Sequence, residues 1–294
     1  MNSILSYPER GIGGNASYRG NCSPKLVEDL INFYKWQSIS DYMCGSGTTE
    51  DVARRLGIES NCYDLNRGFN LLLDDIPERN EAIFFHPPYW NMIDYAGNQY
   101  SKKEIITQYG FDPCKYDISK ITQWNDFIRV LNYCTIKQFN SLEKGGRMAI
   151  LVGDLKRKGK LYSMILDMAK PDVIENVLIK MQHNCMSDTN KYNGKFIKIV
   201  HEYVLILRKD FPTIFDVSVV NRHRYRIYDS QSITWKDLIA NILDENGGML
   251  LQELYKKVQL SKKARAKYFR EKVRQTLYIN TKIFYKKENL WYVY

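Results

Sequence analysis

Two short stretches of this chain carry residue types whose spacing suits chemistry. The first is FFHPPYW, Phe84 to Trp90. Prolines cannot extend a sheet ladder, so a strand must stop before Pro87 and a stiff turn must follow. Such a turn either packs its rings into the core or presents Tyr89 and Trp90 as a rigid clamp for a flat ring. The second is DYMCGSGTT, Asp41 to Thr49. Its glycines let the backbone approach a ligand closely, and a helix N-terminus behind them favours an anionic group. The spacing is neither G-x-G-x-x-G nor a Gly-Lys-Ser/Thr phosphate loop. Asp64 follows about sixteen residues later, where a doubly wound sheet sets an acid against a ribose diol. Glycine turn and acid together point to a cofactor containing a nucleoside.

The elements that hold these stretches alternate in type. Ser23 and Pro24 open a helix with Leu26, Leu30 and Ile31 at helical spacing. SISDYMCGSGTTEDVARRLG reads as a short strand, a glycine turn and a helix stopped by Gly57, IESNCYDLN gives a short strand ending at Asp64, and EAIFFHPPYW gives another that must stop at its prolines. WNDFIRVLNYCTIKQFNSLEKGG reads as a helix closed by Gly145 and Gly146, RMAILVGD as a buried strand, LYSMILDMAK as a helix, and DVIENVLIKMQ and KIVHEYVLILRK as the last strands. Residues 1–23 and 91–120 read as loops, the second long enough to be functional. Alternation of this kind predicts an α/β fold, a Rossmann-like, largely parallel sheet with helices on both faces. His201 and Glu202, neighbours on a strand, are expected to point to opposite faces and are read as strand residues.

Composition narrows the class. The chain has 294 residues, with 44% hydrophobic and 26% charged. No apolar run is long enough to cross a membrane, and the N-terminus does not resemble a secretory leader. The six cysteines are scattered without metal-site spacing, so no metal is expected and a cytoplasmic protein with reduced thiols is. The net charge is +10, and residues 215–294 supply most of it with 16 Lys and Arg against 8 Asp and Glu. A basic third of this kind points to nucleic acid. Composition shifts near Phe211-Pro212, which predicts domains over 1–212 and 213–294. Three amphipathic helices and an aromatic hairpin near Glu288-Asn289 then read as a small winged-helix domain, whose third helix carries Arg265, Lys267, Arg270, Lys272 and Arg274.

CGSGTT paired with HPPYW resembles the amino-methylating DNA methyltransferases, the N6-adenine and N4-cytosine enzymes that use S-adenosylmethionine. GNCSPKLVEDLI resembles their helical cofactor motif, and LEKGGRMAILVGD and HEYVLILRK their later strands. The likeness covers roughly residues 15–210, in an order that suggests a circularly permuted relative. It implies S-adenosylmethionine as cofactor and double-stranded DNA as partner, and it leaves open a homodimer or a partner nuclease, restriction-linked or solitary. It implies transfer of a methyl group to the exocyclic amino group of a flipped base, adenine N6 first. An N4-cytosine enzyme, an RNA methyltransferase and a non-catalytic DNA-binding subunit stay open.

The resemblance assigns roles to particular residues. His86 and the Pro87 carbonyl accept the amino hydrogens, Pro88 stiffens the turn, and Tyr89 stacks on the base. Asp41 and the run Cys44, Gly45, Ser46, Gly47, Thr48 and Thr49 hold the methionine end. Tyr18, Asn21 and Cys22 close over it, Asp64 takes the ribose, and Asp74 or Asp75 takes the adenine amino group. Phe85 stands beside the adenine or in the core, and Trp90 and Tyr95 line the base pocket or pack. Arg265, Lys267, Arg270 and Arg274 contact DNA. His86 departs from the family, which has Asp, Asn or Ser there. Only a neutral imidazole can accept, so activity is expected to fall as pH drops through the imidazole pKa.

Overall fold

The structure, a computed structural model, describes residues 1–96, 99–183, 197–211, 217–219, 228 and 233–294. The chain divides into two compact units, Met1–Val220 and Asn221–Tyr294. The expected boundary at 212/213, like Cys185, lies outside the described residues.

In the first unit the elements run β1 (Ile4–Ser6), α1 (Pro24–Tyr34), β2 (Ser38–Asp41), α2 (Thr48–Leu56), β3 (Glu59–Cys62) and β4 (Asn80–Phe85). They continue with α3 (Lys102–Tyr109), α4 (Trp124–Ser141), β5 (Leu142–Val152), β6 (Asp154–Arg157), β7 (Lys160–Ser163), α5 (Met164–Asp167), β8 (Lys170–Pro171), β9 (Val173–Met181), β10 (His201–Arg208) and β11 (Val217–Ser218). A seven-stranded sheet has the order β1-β9-β10-β5-β4-β2-β3. Its strands run parallel except β10, which lies antiparallel between β5 and β9. This is a Rossmann-like α/β sheet. Strand alternation divides the core cleanly. Ala82 and Phe84 of β4 pack with Leu26, Val27 and Leu30 of α1 and Val52 of α2, whereas Ile83 and Phe85 pack with Phe127 and Leu131 of α4. Helices therefore cover both faces.

Local sequence sets the helix ends. Pro24 sits in the first turn of α1, which closes at Lys35 in the left-handed region (φ 56°). Helix α2 begins after Gly47 (φ 84°), with Glu50 and Asp51 in its first turn and Arg54 and Arg55 in its last, complementing the helix dipole.

Several expectations are corrected. Residues 4–6 form the edge strand β1 rather than loop; only Leu5 is buried there, so no period announces it. The segment 91–120 contains α3 and short 3-10 turns at Pro113–Lys115 and Ile118–Lys120. The helix expected to reach Gly145-Gly146 stops at Ser141, and both glycines belong to β5. A Cβ on Gly146 would lie 3.0–3.1 Å from the carbonyl oxygens of Glu143, Glu81 and Asn80, so that glycine serves close strand packing rather than a helix cap. LYSMILDMAK splits into β7 and the four-residue α5, because Lys158 (φ 49°) and Gly159 (φ 74°) make a two-residue hairpin turn.

The second unit holds α6 (Trp235–Asn246), β12 (Met249–Leu250), α7 (Leu251–Gln259), α8 (Phe269–Ile279), β13 (Phe284–Lys287) and β14 (Leu290–Val293). Its three-stranded sheet has the order β12-β14-β13, and Leu238, Ile242, Leu254, Val273, Leu277 and Trp291 share its core. Helix α8 starts at Phe269, so Arg265 and Lys267 precede the third helix rather than ride on it. No helix among the described residues is long and apolar enough to cross a membrane.

Candidate functional site

Chain order reverses in the sheet at β2: the next strand, β3, pairs on one side and β4 on the other. A crevice opens at such a point beyond the carboxyl ends of the strands. Asp41 ends β2, and His86 follows directly on β4, so the register delivers both singled-out stretches to one edge.

A cavity of about 820 Å3, counting the part open to solvent, lies there. Tyr18, Asn21, Cys22, Asp41, Cys44, Gly45, Ser46, Thr48, Thr49, Asp64, His86, Pro88 and Tyr95 all line it. Gly47 caps α2 beside it. Among the sequence-derived site residues, Pro87, Tyr89, Trp90, Asp75 and Phe85 do not line it. Phe85 is fully buried on the α4 face of the sheet, which settles its role as core packing. Trp90 is buried against Trp124 and Tyr162, with the Arg157 guanidinium 4.3 Å from its ring, outside the lining of this cavity. Asp75 is exposed, and neighbouring Asp74 accepts from the Asn70 amide at 2.7 Å.

The glycine loop is tied to the acids. The Thr49 hydroxyl donates to Asp41 Oδ2 at 2.6 Å and the Met43 amide to Oδ1 at 3.1 Å. Gly45 and Asn66 amides donate to the two oxygens of Asp64 at 2.9 and 3.0 Å. Burial raises both carboxyls, Asp41 to about 7, although these hydrogen bonds oppose it. Each carboxylate oxygen keeps a further lone pair for a ligand. Tyr18 lies over the loop: a Cβ on Gly45 (φ 51°) would sit 3.1 Å from its ring. Asn21 donates its side-chain amide to the Asn15 carbonyl, which ties down the segment before α1.

The lining is acidic and aromatic. Asp41, Asp64 and Asp117 contribute carboxyls, Tyr18, Tyr42, Phe69, Tyr95, Tyr100 and Tyr116 contribute rings, and among the described residues no lysine or arginine lines the cavity. Two thiols, Cys22 and Cys44, also face it. Burial pushes Cys22 up to about 12, and contact with Cys62 together with burial raises Cys44, so both stay protonated and neither is poised as a nucleophile.

At the other end, the Pro87 carbonyl accepts no backbone hydrogen bond among the described residues, whereas those of Pro88 and Tyr89 accept from Trp90 and Met92. Burial lowers the His86 pKa to about 4, so the imidazole is neutral at pH 7 and across the ordinary imidazole range. The Tyr89 hydroxyl lies 3.2 Å from His86 Nε2 and donates to Glu202 Oε1 at 2.7 Å. Lys180 Nζ donates to Glu202 Oε2 at 2.6 Å. The ring of Tyr89 fills the space beside Gly153, where a Cβ would lie 2.6 Å from it. Glu202, Lys180 and Asp117 are residues that sequence reasoning missed at this site. Glu202 was expected to be an ordinary strand residue. His201 does face elsewhere, bonding Tyr203, but only the antiparallel run of β10 brings Glu202 to this edge, opposite Lys180. Asp117 sat in a stretch without a period, although Asp117–Ser119 is an Asx-type turn start that marks structure.

In the second unit Arg265, Lys267, Arg270, Lys272 and Arg274 are all exposed. Arg274 lies 3.9 Å from Glu271 in a loose i,i+3 pair. Among the described residues no group of three or more metal-ligating side chains comes together.

No family model matches the sequence, and no curated protein matches it. Among solved structures, TrmN from Thermus thermophilus is 17% identical with a TM-score of 0.31, over 66% of this chain and 51% of TrmN. A structure described as "Conversion of a Disulfide Bond into a Thioacetal Group during Echinomycin Biosynthesis" is 10% identical with a TM-score of 0.31, over 62% of this chain and 81% of that one. TehB from Haemophilus influenzae is 11% identical with a TM-score of 0.29, over 63% of this chain and 62% of TehB. This chain thus spans about half the length of TrmN. Likeness at this level says nothing of activity.

Proposed function

We propose that the protein is an S-adenosylmethionine-dependent methyltransferase that modifies the exocyclic amino group of a base in duplex DNA, adenine N6 first. One observation carries the cofactor class: among the described residues, the cavity beside the glycine loop presents three carboxyls and many rings but no lysine or arginine. A dinucleotide or nucleoside triphosphate would set its phosphates against those carboxyls without a compensating cation. A nucleoside that bears a sulfonium and an ammonium fits the same charges.

Asp41 and the Cys44–Gly47 backbone would hold the amino-acid end, Asp64 the ribose hydroxyls, and the aromatic lining the adenine. When bound, the cofactor supplies an electrophilic methyl group. The protein's own residues do the rest. The Pro87 carbonyl and the neutral His86 imidazole accept hydrogens from the target amino group, which localises its lone pair and aims it. Protonated Cys22 and Cys44 leave no covalent route through a thiolate. Tyr89, with its hydroxyl held by Glu202, needs to release that contact before it stacks on a base; Tyr95, already in the lining, is the nearer ring.

The second unit reads as a winged helix, with α8 as the helix that enters the groove and β13–β14 as the wing. Its exposed Arg270, Lys272 and Arg274 suit phosphate and base-edge contacts.

Incubation with methyl-labelled S-adenosylmethionine and mixed-sequence duplex DNA, followed by digestion to nucleosides, tests the reading. Label in N6-methyladenine is expected. Label in N4-methylcytosine keeps the mechanism and changes the base. Label in RNA alone, or none with cofactor bound, overturns the DNA-enzyme reading.

A further inference from the structure

Four polar side chains, Lys180 and Glu202 buried and Tyr89 and His86 half-buried, form a relay that ends at the cavity. Lys180 on β9 meets Glu202 on β10 at 2.6 Å, Glu202 accepts from Tyr89 at 2.7 Å, and Tyr89 lies 3.2 Å from His86 Nε2. Proton positions in this relay follow from its charges. Burial alone would raise the Glu202 carboxyl, but the Lys180 ammonium, the charge interaction with His86 and hydrogen bonds from Lys180 and Tyr89 outweigh it and leave the pKa lowered. A carboxylate only accepts. The single proton of the Tyr89 hydroxyl therefore goes to Glu202, and burial followed by the Glu202 charge keeps that phenol protonated. The Tyr89 oxygen has only lone pairs left for His86, so Nε2 must carry the imidazole hydrogen.

We propose that Glu202, anchored by Lys180, is a positioning residue that acts through Tyr89 to fix His86 as its Nε2–H tautomer, leaving Nδ1 as a pure acceptor for a substrate N–H. Nδ1 meets no protein group among the described residues, and His86 lines the cavity. This rests on the reading of His86 as the amino-group acceptor. Its consequence is selectivity by hydrogen-bond polarity. A lone-pair atom at Nδ1 accepts an exocyclic amino hydrogen and opposes a keto oxygen or an unprotonated ring nitrogen, which the other tautomer would welcome. The relay also supplies what a histidine needs and a carboxylate does not: an imidazole offers its acceptor at Nδ1 only while its hydrogen sits on Nε2.

Nitrogen-15 labelling of the histidines in the full chain reads the tautomer directly, with the His86 signals assigned by their loss in His86→Gln. The expected spectrum at pH 7 shows Nε2 in the pyrrole-like range and Nδ1 in the pyridine-like range. Tyr89→Phe removes the hydroxyl and keeps the ring, so the two nitrogens should move toward averaged shifts. Glu202→Gln keeps the shape and serves where Tyr89→Phe does not fold; its side-chain NH2 can donate to Tyr89, whose proton then turns to His86 and favours the Nδ1–H form. A His86 that is Nδ1–H in the native chain, or a tautomer unmoved by both variants, overturns the relay. The spectrum needs no substrate. A correct tautomer without methyl transfer to DNA would therefore fault the proposed activity and leave the relay standing, and the converse result would fault the relay alone.

Discussion

The carboxyl edge of the sheet and the three-helix unit carry opposite charge in opposite ways. At the sheet edge Asp41, Asp64 and Asp117 are buried around a cavity with no lysine or arginine in its lining among the described residues. In the three-helix unit Arg265, Lys267, Arg270, Lys272 and Arg274 are exposed. Buried carboxyls are costly unless hydrogen-bonded, and the three here accept from Thr49, Gly45 and Ser119 among others while still facing the cavity. Exposed cations cost little and act on a polyanion collectively, through counterion release. On the function proposed above, the first region takes a small cationic molecule and the second a long anionic one.

The sharpest way to break this contrast is at Asp64. Asp64→Ala removes an acceptor for two ribose hydroxyls and should weaken S-adenosylmethionine binding by on the order of 3 kcal/mol, about a hundredfold. Calorimetry that found unchanged affinity would remove the cofactor from this cavity. Asp41 tests the cost of an empty acid site. Its folded pKa of about 7 lies above its ordinary 3.8, so its contribution to stability is present below about pH 3.8 and is lost as pH rises through 7. The loss is on the order of 4 kcal/mol. Asp41→Asn should therefore raise the melting temperature of the ligand-free protein at pH 8 while it weakens cofactor binding; a lower melting temperature in that variant would contradict the burial argument.

In the other region, Arg270→Ala with Arg274→Ala should weaken binding to duplex DNA and shrink the salt slope by about 1–2, with cofactor affinity untouched. An unchanged slope would move the nucleic-acid face elsewhere. The smallest expected effect is at His86. With the imidazole held near 4, its protonation state is constant from pH 8 down to 5.5 and changes only toward pH 4. The sequence-based expectation of a fall at ordinary imidazole pKa is thus revised to a flat profile. An activity drop centred near 6.5 would show that His86 is more solvated than its surroundings imply.

Much of this arrangement was legible because it is written in local rules. Pro87 and Pro88 end a strand wherever they occur, Gly47 and Gly57 bracket a helix, and the alternation of strand and helix in residues 24–85 follows from side-chain period. Less legible were segments whose structure is settled by a neighbour. β1 exists because β9 offers an edge, and β5 holds Gly146 where β4 lies close enough to exclude a Cβ. Trp90 looked like half of an aromatic clamp, yet Trp124 and Tyr162 bury it.

By itself the sequence determined the α/β alternation, the glycine loop with its acid, the proline-stiffened turn and the basic C-terminal third, since backbone geometry, side-chain period and formal charge are properties of neighbouring residues. Only the tertiary structure decided that Glu202 belongs with Tyr89 and His86. Glu202 and His86 are 116 positions apart, and the strand carrying Glu202 meets the carboxyl edge by running against every other strand of its sheet. Strand direction is fixed by pairing across the sheet, and hydrogen-bond pairing at that distance leaves no trace in local spacing.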